Sequence, residues 1–114
     1  MTIKRGGIYL ACLDPTIGHE IAKTRPVLVV SNDLNNRYSG TVTVLPITSG
    51  ALHTIYPFEV AIPKGAGGLP KDSKIKADQI RTLDKKRLIK TIGNLADEDM
   101  AEVNQALTIH LSLL

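Results

Sequence analysis

The stretch of sequence that decides the fold is KTRPVLVVSNDLNNRYSGTVTVLPITS, which occupies residues 23–49. Aliphatic and β-branched residues dominate positions 27–31 and 41–45, and such runs are typical of buried strands. The polar residues 32–36 between them are typical of a connection. We therefore expect the two runs to pair as an antiparallel hairpin.

The register of this hairpin decides which polar side chains meet. If Ser31 lies opposite Thr41, Arg25 comes level with Ile47 and stands beside Thr48. Directly opposed side chains in a sheet are about 5 Å apart, and diagonal neighbours remain within reach of a long side chain. A guanidinium and a hydroxyl would then share one sheet edge, where they are suited to binding a phosphate.

The rest of the chain adds short strands and one long helix. Further strands are predicted at 8–13, 55–62 and 73–80, with a tight connector at 63–70 and a short strand or turn at 92–95. Asp84 is expected to cap a short helical turn that ends at Leu88, and Asp97 to cap the terminal helix. The apolar face of that helix comprises Met100, Val103, Leu107, Leu111 and Leu114. This pattern predicts a mainly β fold with a terminal α-helix, built as a small, strongly bent antiparallel barrel or sandwich.

Length and charge fit one small domain with a basic surface. The 114 residues are expected to form a single domain, 1–114. Residues 1–90 hold fourteen Lys and Arg against seven Asp and Glu, whereas residues 91–114 hold four acids and no Lys or Arg. The basic part contains Arg25 and Thr48, and local positive charge attracts nucleic acid. On charge alone, a solvated surface explains the asymmetry equally well.

Several function classes are disfavoured by what the sequence lacks. Cys12 is the single cysteine and cannot form an internal disulfide. His19, His53 and His110 show no metal-ligand spacing, so we expect neither a metal nor a cofactor. The first residues carry charge but no apolar segment, and no run is long enough to span a bilayer. We expect a cytoplasmic protein.

The remaining candidates are polar residues at predicted loops and strand ends. They are Glu20, Lys23, Arg25, Thr48, Ser49, Gln79 and Arg81. An arginine before a proline at a strand start is often a surface residue whose stem covers apolar area. Composition and spacing therefore leave a structural and a functional role for Arg25 both open.

The chain resembles the MazF/PemK-type toxins, the endoribonuclease halves of bacterial toxin–antitoxin pairs. The likeness covers nearly the whole length and its blocks fall in the family's order. It is carried by Arg5-Gly6, Gly18, Glu20, Lys23 to Asn32, Pro46 to Ser49, Asp78 to Thr82, Asp84 to Leu88, and Ile92-Gly93. Two positions depart from the family's pattern: Gly7 replaces a common acidic residue, and His19 stands where a small polar residue is frequent.

The resemblance implies a fold, an activity and partners. The fold would be an SH3-like barrel, usually homodimeric, that cuts single-stranded mRNA at short sequences without a metal ion. An acidic segment of the cognate antitoxin would occlude the site. The family's essential arginine and threonine fall on Arg25 and Thr48. Gln79, Arg81, Lys23 and Ser49 are then expected to bind RNA, and Arg5, which carries part of the likeness, is included with them.

RNA supplies its own nucleophile, the 2′-OH beside each scissile phosphate. A site that aligns this group and stabilises the phosphorane would yield a 2′,3′-cyclic phosphate and a 5′-OH. We expect Arg25 to stabilise charge and assist the leaving group, Thr48 to orient the phosphate, and Glu20 to tune Arg25 or accept the proton.

Two other functions are compatible with this fold. A related toxin could poison DNA gyrase, using an exposed terminal helix and no Arg25 or Thr48. A non-catalytic barrel could bind RNA or a peptide. The presence of both residues favours cleavage, because function depends on the site and not on the fold.

Overall fold

The computed structural model describes residues 1–113, which form one curled antiparallel sheet and two α-helices. The strands are β1 (Gly7–Cys12), β2 (Thr24–Val29), β3 (Thr41–Thr48), β4 (Glu59–Ile62), β5 (Ser73–Lys76), β6 (Arg81–Asp84) and β7 (Leu88–Asn94). The helices are α1 (Asp33–Tyr38) and α2 (Asp97–His110), and short 3-10 turns occupy Ala66–Gly68, Ala77–Gln79 and Lys85–Arg87. The strand order is β4-β5-β3-β2-β1-β7, with β6 also on β3, so over these residues the sheet is barrel-like but not closed. The mainly β fold with a terminal helix is confirmed.

Both faces of the central strands are buried. Val27 and Val29 belong to one apolar cluster, whereas Leu28 between them belongs to the other. We call the cluster that includes Leu28 and packs against α2 the helix-side cluster, and the one that includes Val27 and Val29 the opposite cluster. Because successive residues of a strand point to opposite faces, a continuous aliphatic run fills both clusters.

The predicted hairpin exists, but its register is shifted by one residue. Val27 lies opposite Pro46 and Val29 opposite Val44. If this register is extended by two residues from the Val27–Pro46 pair, Arg25 comes opposite Thr48. The sequence had predicted Ile47 at that position. The shift matters because directly opposed residues share a face of the sheet, whereas neighbours along a strand do not.

The pairing becomes irregular where β2 ends. The backbone N–H groups of Val30 and Ser31 both donate to the Thr43 carbonyl, at 2.9 and 3.4 Å. The Ser31 hydroxyl oxygen in turn accepts from the Thr43 N–H at 3.1 Å. A side chain thus replaces a backbone partner, so Ser31 does not pair with Thr41 as expected.

The connection after Ser31 is a short helix, α1, and not only a polar loop. The Asn32 side chain accepts a hydrogen bond from the Asn35 N–H at 2.8 Å, which makes Asn32 its N-cap. Asn36 is buried, and its side-chain amide donates to the Ser31 carbonyl at 2.8 Å.

Other predicted elements differ in length. The strand expected at 55–62 is only Glu59–Ile62, because the Glu59 N–H closes a turn onto the Tyr56 carbonyl at 2.9 Å. The strand expected at 73–80 ends at Lys76, since the 3-10 turn moves the chain from one end of β3 to the other. The last strand, β7, is longer than the predicted 92–95.

One of the two predicted helix caps is confirmed. The side chain of Asp84 caps the 3-10 turn by accepting from the Lys86 N–H at 2.8 Å, as predicted. Helix α2 has Ala96 as its N-cap and not Asp97, which is its first residue. Its buried face is Met100, Val103 and Ala106; Leu107 is half-buried, Leu111 is exposed, and Leu114 lies outside the described residues. No helix in the described part of the chain is long and apolar enough to cross a membrane.

Candidate active site

Arg25 is the second residue of β2 and lies opposite Ala11 of β1. Its side chain is half-buried, and its Nε donates to the Ala22 carbonyl at 2.9 Å. Within residues 1–113 this is the only hydrogen bond that the side chain makes, so the terminal guanidinium nitrogens are available to a ligand. Pro26 fixes the backbone next to it.

Thr48 ends β3 and is also half-buried. Its hydroxyl oxygen accepts a hydrogen bond from the Gly50 N–H at 3.1 Å. A hydroxyl that accepts in this way still has its own hydrogen to donate. Ser49, the next residue, is exposed.

Arg25 and Thr48 lie on one face of the sheet. Ala11, opposite Arg25, belongs to the opposite cluster, and so does Val27, two residues further along β2. Pro46 lies opposite Val27, so Thr48, two residues on, shares that face as well. The pairing of β2 with β3 ends at Val27 and Pro46. Arg25 and Thr48 each follow two residues beyond that pair, so this face ends in a guanidinium and a hydroxyl on neighbouring strands.

A cleft of about 350 Å³ lies between the loop after β1 and the 3-10 turn after β5. It is lined by Ile17, His19, Glu20, Asp78, Gln79, Ile80 and Arg81. Gln79 fastens the loop at two points, accepting from the Ile21 N–H at 3.3 Å and donating to the His19 carbonyl at 3.4 Å. The structure thus brings together Glu20, Gln79 and Arg81.

The charged residues of this cleft are held by backbone groups. Arg81 lies opposite Val44 in β3, and its Nη1 donates to the Leu13 carbonyl at 3.1 Å. Glu20 is exposed, and its Oε1 accepts from the Ile17 N–H at 2.7 Å. Both contacts shape the loop that leads to Arg25.

Lys23 has an exposed side chain and an unusual backbone. Its φ is +71°, a left-handed conformation that is uncommon for a residue with a side chain. The Lys23 N–H donates to the Asp14 carboxylate at 3.1 Å, and its carbonyl accepts from the Leu13 N–H at 2.9 Å. These bonds hold the turn that delivers the chain into β2.

Arg5 is not brought to this site. It precedes β1, six residues before the partner of Arg25, which is roughly 20 Å along a strand. Its Nε donates to the Val30 carbonyl at 2.9 Å and its Nη2 to the Asn104 side chain at 2.5 Å, which ties α2 to the sheet. Its backbone N–H donates to Asp33, and this bond lowers the pKa of that carboxyl group. We leave Arg5 out of the proposed site.

Asp78 and Ile17 line the cleft but were not predicted as site residues. The position of Asp78 next to Gln79 is a signal, but the cleft exists only because a distant loop folds over this turn. Among the described residues, no three His, Cys, Asp or Glu side chains cluster closely enough to hold a metal ion.

Comparison with known proteins places this geometry in context. Residues 4–111 match the family described as PemK-like, MazF-like toxin of type II toxin-antitoxin system. Endoribonuclease EndoA of Bacillus subtilis (strain 168) is 44% identical over 114 residues, covering 100% of this chain and 98% of that protein. The crystal structure of MazF (Form-I) from Deinococcus radiodurans superposes with a TM-score of 0.84 at 30% identity, covering 98% of both chains. An endoribonuclease in complex with its cognate antitoxin from Mycobacterial species gives a TM-score of 0.76 at 26% identity, over 97% of this chain and 94% of that one.

Proposed function

This chain belongs to the PemK-like, MazF-like toxins of type II toxin–antitoxin systems, and we propose that it cleaves single-stranded RNA with Arg25 and Thr48. It is an endoribonuclease of the mRNA interferase kind, as its relatives are named endoribonucleases. The observation that carries the assignment of the site is the shared face of Arg25 and Thr48, each with a hydrogen-bond donor left over.

The reaction needs alignment and charge stabilisation. The 2′ oxygen attacks the adjacent phosphorus, and the bond from phosphorus to the 5′ oxygen breaks. One proton leaves the 2′-OH and one is delivered to the 5′ oxygen, which gives a 2′,3′-cyclic phosphate and a 5′-OH. The phosphorane between them carries extra negative charge on its non-bridging oxygens. The free guanidinium nitrogens of Arg25 suit that charge, because their fork of donors matches phosphate oxygens and stays protonated.

Thr48 supplies a directional hydrogen bond to the same phosphate. Its hydroxyl oxygen is fixed by the Gly50 N–H, so its hydrogen points away from that turn. Glu20 tunes this pair from the neighbouring cleft, or accepts the proton of the 2′-OH. An arginine side chain stays protonated in proteins and is therefore a poor proton acceptor.

RNA recognition extends from this edge into the cleft. Gln79 and Arg81 line the cleft and offer contacts to base edges or to the backbone. Lys23 adds attraction to phosphates from its exposed position, and Ser49 offers a hydroxyl beside Thr48.

The partners follow from the family. A type II toxin is neutralised by a cognate antitoxin, and one solved relative is an endoribonuclease bound to its antitoxin. We propose that an acidic antitoxin segment covers the basic edge around Arg25. We further propose a cytoplasmic homodimer with RNA laid across a groove between the subunits.

One assay tests the proposal. The protein is incubated in EDTA with a mixed-sequence RNA, and then with a chimeric oligonucleotide that lacks the 2′-OH at the cut site. We expect the first to be cleaved to cyclic-phosphate products and the second to stay intact. Intact RNA across many sequences would instead favour a toxin that acts on gyrase or a barrel that only binds. Cleavage of the chimeric substrate would exclude the 2′-OH as nucleophile.

A Thr48→Val variant links the activity to the site. It keeps the shape of the side chain and removes the hydroxyl, so we expect cleavage to slow by at least ten-fold while the fold is retained. Unchanged cleavage would remove Thr48 from the mechanism.

A further inference from the structure

A buried ion pair lies on the strand next to Thr48. In the β3–β5 ladder Thr48 lies opposite Lys74, whose side chain is only 4% exposed. Lys74 pairs with Glu59, whose side chain is fully buried. Lysine and glutamate are almost never buried without partners, and this pair takes no part in the chemistry proposed above.

Both carboxylate oxygens of Glu59 accept hydrogen bonds. Its Oε1 accepts from Lys74 Nζ at 3.1 Å and from the Tyr56 N–H at 3.0 Å, and its Oε2 accepts from Lys76 Nζ at 2.6 Å. Burial opposes ionisation of this carboxyl group, but the two ammonium groups and the Tyr56 N–H outweigh it and lower the pKa of Glu59. The side chain is therefore a carboxylate at neutral pH.

Lys74 uses all three of its N–H donors. Besides Glu59, its Nζ donates to the Ala51 carbonyl at 2.9 Å and to the Thr54 carbonyl at 3.1 Å. One ammonium thus holds the segment between β3 and β4 at two points.

The segment that Lys74 holds is the one that holds the Thr48 hydroxyl. Ala51 has a φ of +51°, a conformation that costs energy for alanine and persists only where the surroundings impose it. The bond from Lys74 to the Ala51 carbonyl restrains the backbone at this position. The preceding residue, Gly50, then presents its N–H to Thr48 Oγ1 at 3.1 Å.

We propose that Lys74 is a positioning residue for RNA cleavage: buried against Glu59, it fixes the Gly50–Ala51 turn and, through that turn, the Thr48 hydroxyl. The role in cleavage rests on the proposed function. The fixed turn rests on the contacts of Lys74 alone, so the two can be tested separately.

Lys76 provides a matched control for the Lys74 variant. It also binds Glu59, but its other contact is Asp78 at 3.7 Å, and among the described residues it makes no hydrogen bond to the 49–58 segment. We expect Lys74→Met to lower kcat at least ten-fold with KM changed less than two-fold, and Lys76→Met to change kcat less than two-fold. Lys74→Met leaves the buried carboxylate of Glu59 without this partner and could unfold the protein. The double variant Lys74→Met, Glu59→Gln removes both charges of the pair and is expected to lower kcat by the same factor.

The route through Thr48 is tested in a Thr48→Val background. If Lys74 acts by orienting that hydroxyl, Lys74→Met has less than a two-fold effect on the single-turnover rate once the hydroxyl is gone. An undiminished ten-fold loss in that background would overturn the proposal, since a merely structural role adds to the loss of Thr48.

A second readout does not depend on activity. Backbone ¹⁵N order parameters for residues 50–54 are expected near 0.85 in the parent protein and below about 0.6 after Lys74→Met, with no change after Lys76→Met. Unchanged order parameters in the Lys74 variant would overturn the positioning role. Loosening of this segment in a protein that leaves all RNA intact would instead reject the nuclease function and leave the structural role of Lys74 standing.

Discussion

At the scale of single residues, Arg25 combines restraint with free donors. Pro26 restrains the backbone on one side, and the bond from Nε to the Ala22 carbonyl restrains the side chain on the other. The terminal nitrogens are thus pre-oriented without being consumed. Such preorganisation is the main way in which a charged group lowers the barrier of a reaction that develops charge.

The paired N–H donors of the Arg25 guanidinium, and not only its charge, should therefore affect the cleavage rate. Arg25→Lys keeps one positive charge but loses the paired donors and the bond to Ala22. We expect the single-turnover cleavage rate to fall about 100-fold, in the range found when one preorganised donor is removed from a transition state. A fluorogenic oligonucleotide measures this rate.

Arg37→Lys is the matched control, because Arg37 is exposed on α1 beside Tyr38. Its cleavage rate is expected to equal that of the parent protein. A rate for Arg25→Lys within two-fold of the parent would show that charge alone suffices at this position.

The role of Glu20 is decided by pH dependence. Glu20→Gln keeps the size of the side chain and an acceptor for the Ile17 N–H, but it cannot take up a proton. If Glu20 accepts the proton of the 2′-OH, the fall in rate at low pH disappears in the variant. A pH–rate profile with the same acid limb as the parent protein would remove Glu20 from the proton transfer.

The sequence predicted which strands carry Arg25 and Thr48. It did not predict the register between those strands or the position of Arg5. The composition of the two runs located Arg25 and Thr48 at neighbouring strand ends. The register was wrong by one residue: Val27 pairs with Pro46, and beyond β2 the Ser31 hydroxyl, not a backbone group, accepts from the Thr43 N–H. The separate location of Arg5 depends on Asn104, ninety-nine positions away, which no local pattern reveals.

At the scale of elements, the ion pair between β4 and β5 should make the free energy of unfolding fall at low pH. The lowered pKa of Glu59 means that its ionisation stabilises the folded state fully above the ordinary value of 4.5. That contribution is lost as the pH falls through the lower pKa of the folded state. Glu59→Gln removes it, and the loss of a buried ion pair costs about 3 kcal/mol.

Urea unfolding of the two proteins checks this. The difference in free energy of unfolding should be full at pH 7 and shrink progressively below about pH 4.5. A difference that stays constant down to pH 3 would mean that the carboxylate charge of Glu59 does not stabilise the fold.

The contact between β7 and the 66–68 turn predicts a strict need for glycine. A Cβ on Gly93 would lie 2.3 Å from the backbone carbonyl oxygen of Gly67, closer than any real contact. We expect Gly93→Ala to lower the free energy of unfolding by about 2–3 kcal/mol, since a rigid backbone must shift. Gly40→Ala is the control, because a Cβ there meets nothing within 4 Å, and its effect should stay within about 0.5 kcal/mol. Equal midpoints in urea for the two variants would contradict the close approach.

The elements that the sequence misjudged are those set by tertiary contacts. The apolar run from Ile55 has strand-like composition, yet its first residues form the segment held by Lys74. The run from Ser73 to Ile80 breaks because β3 offers pairing positions at both ends and the chain crosses from one to the other. The location of helix α2 was predicted from local signals, its spacing and its acidic first turn, but its N-cap is Ala96 and Leu111 is exposed.

At the scale of the whole molecule, charge is divided between the sheet and the terminal helix. All fourteen Lys and Arg residues precede residue 91, whereas α2 carries Asp97, Glu98, Asp99 and Glu102. The acidic residues of its first turn interact favourably with the helix dipole, and they lie outside the strands that form the site. The net charge of +3 therefore understates the field at the edge around Arg25.

The affinity for RNA should accordingly fall as the salt concentration rises. The steepness of that fall should identify which residues at the edge around Arg25 contact phosphates. Each phosphate neutralised on a single strand contributes about 0.7 to the slope of log affinity against log salt concentration. Lys23 is exposed next to Arg25, so Lys23→Gln should reduce that slope by about 0.7, measured with a 2′-O-methyl oligonucleotide that cannot be cleaved. Lys64, exposed on the connector between β4 and β5, provides the control, and Lys64→Gln should leave the slope unchanged. Equal slopes for both variants would show that attraction comes from net charge, whereas a lower slope for Lys23→Gln alone would locate the RNA backbone beside Arg25.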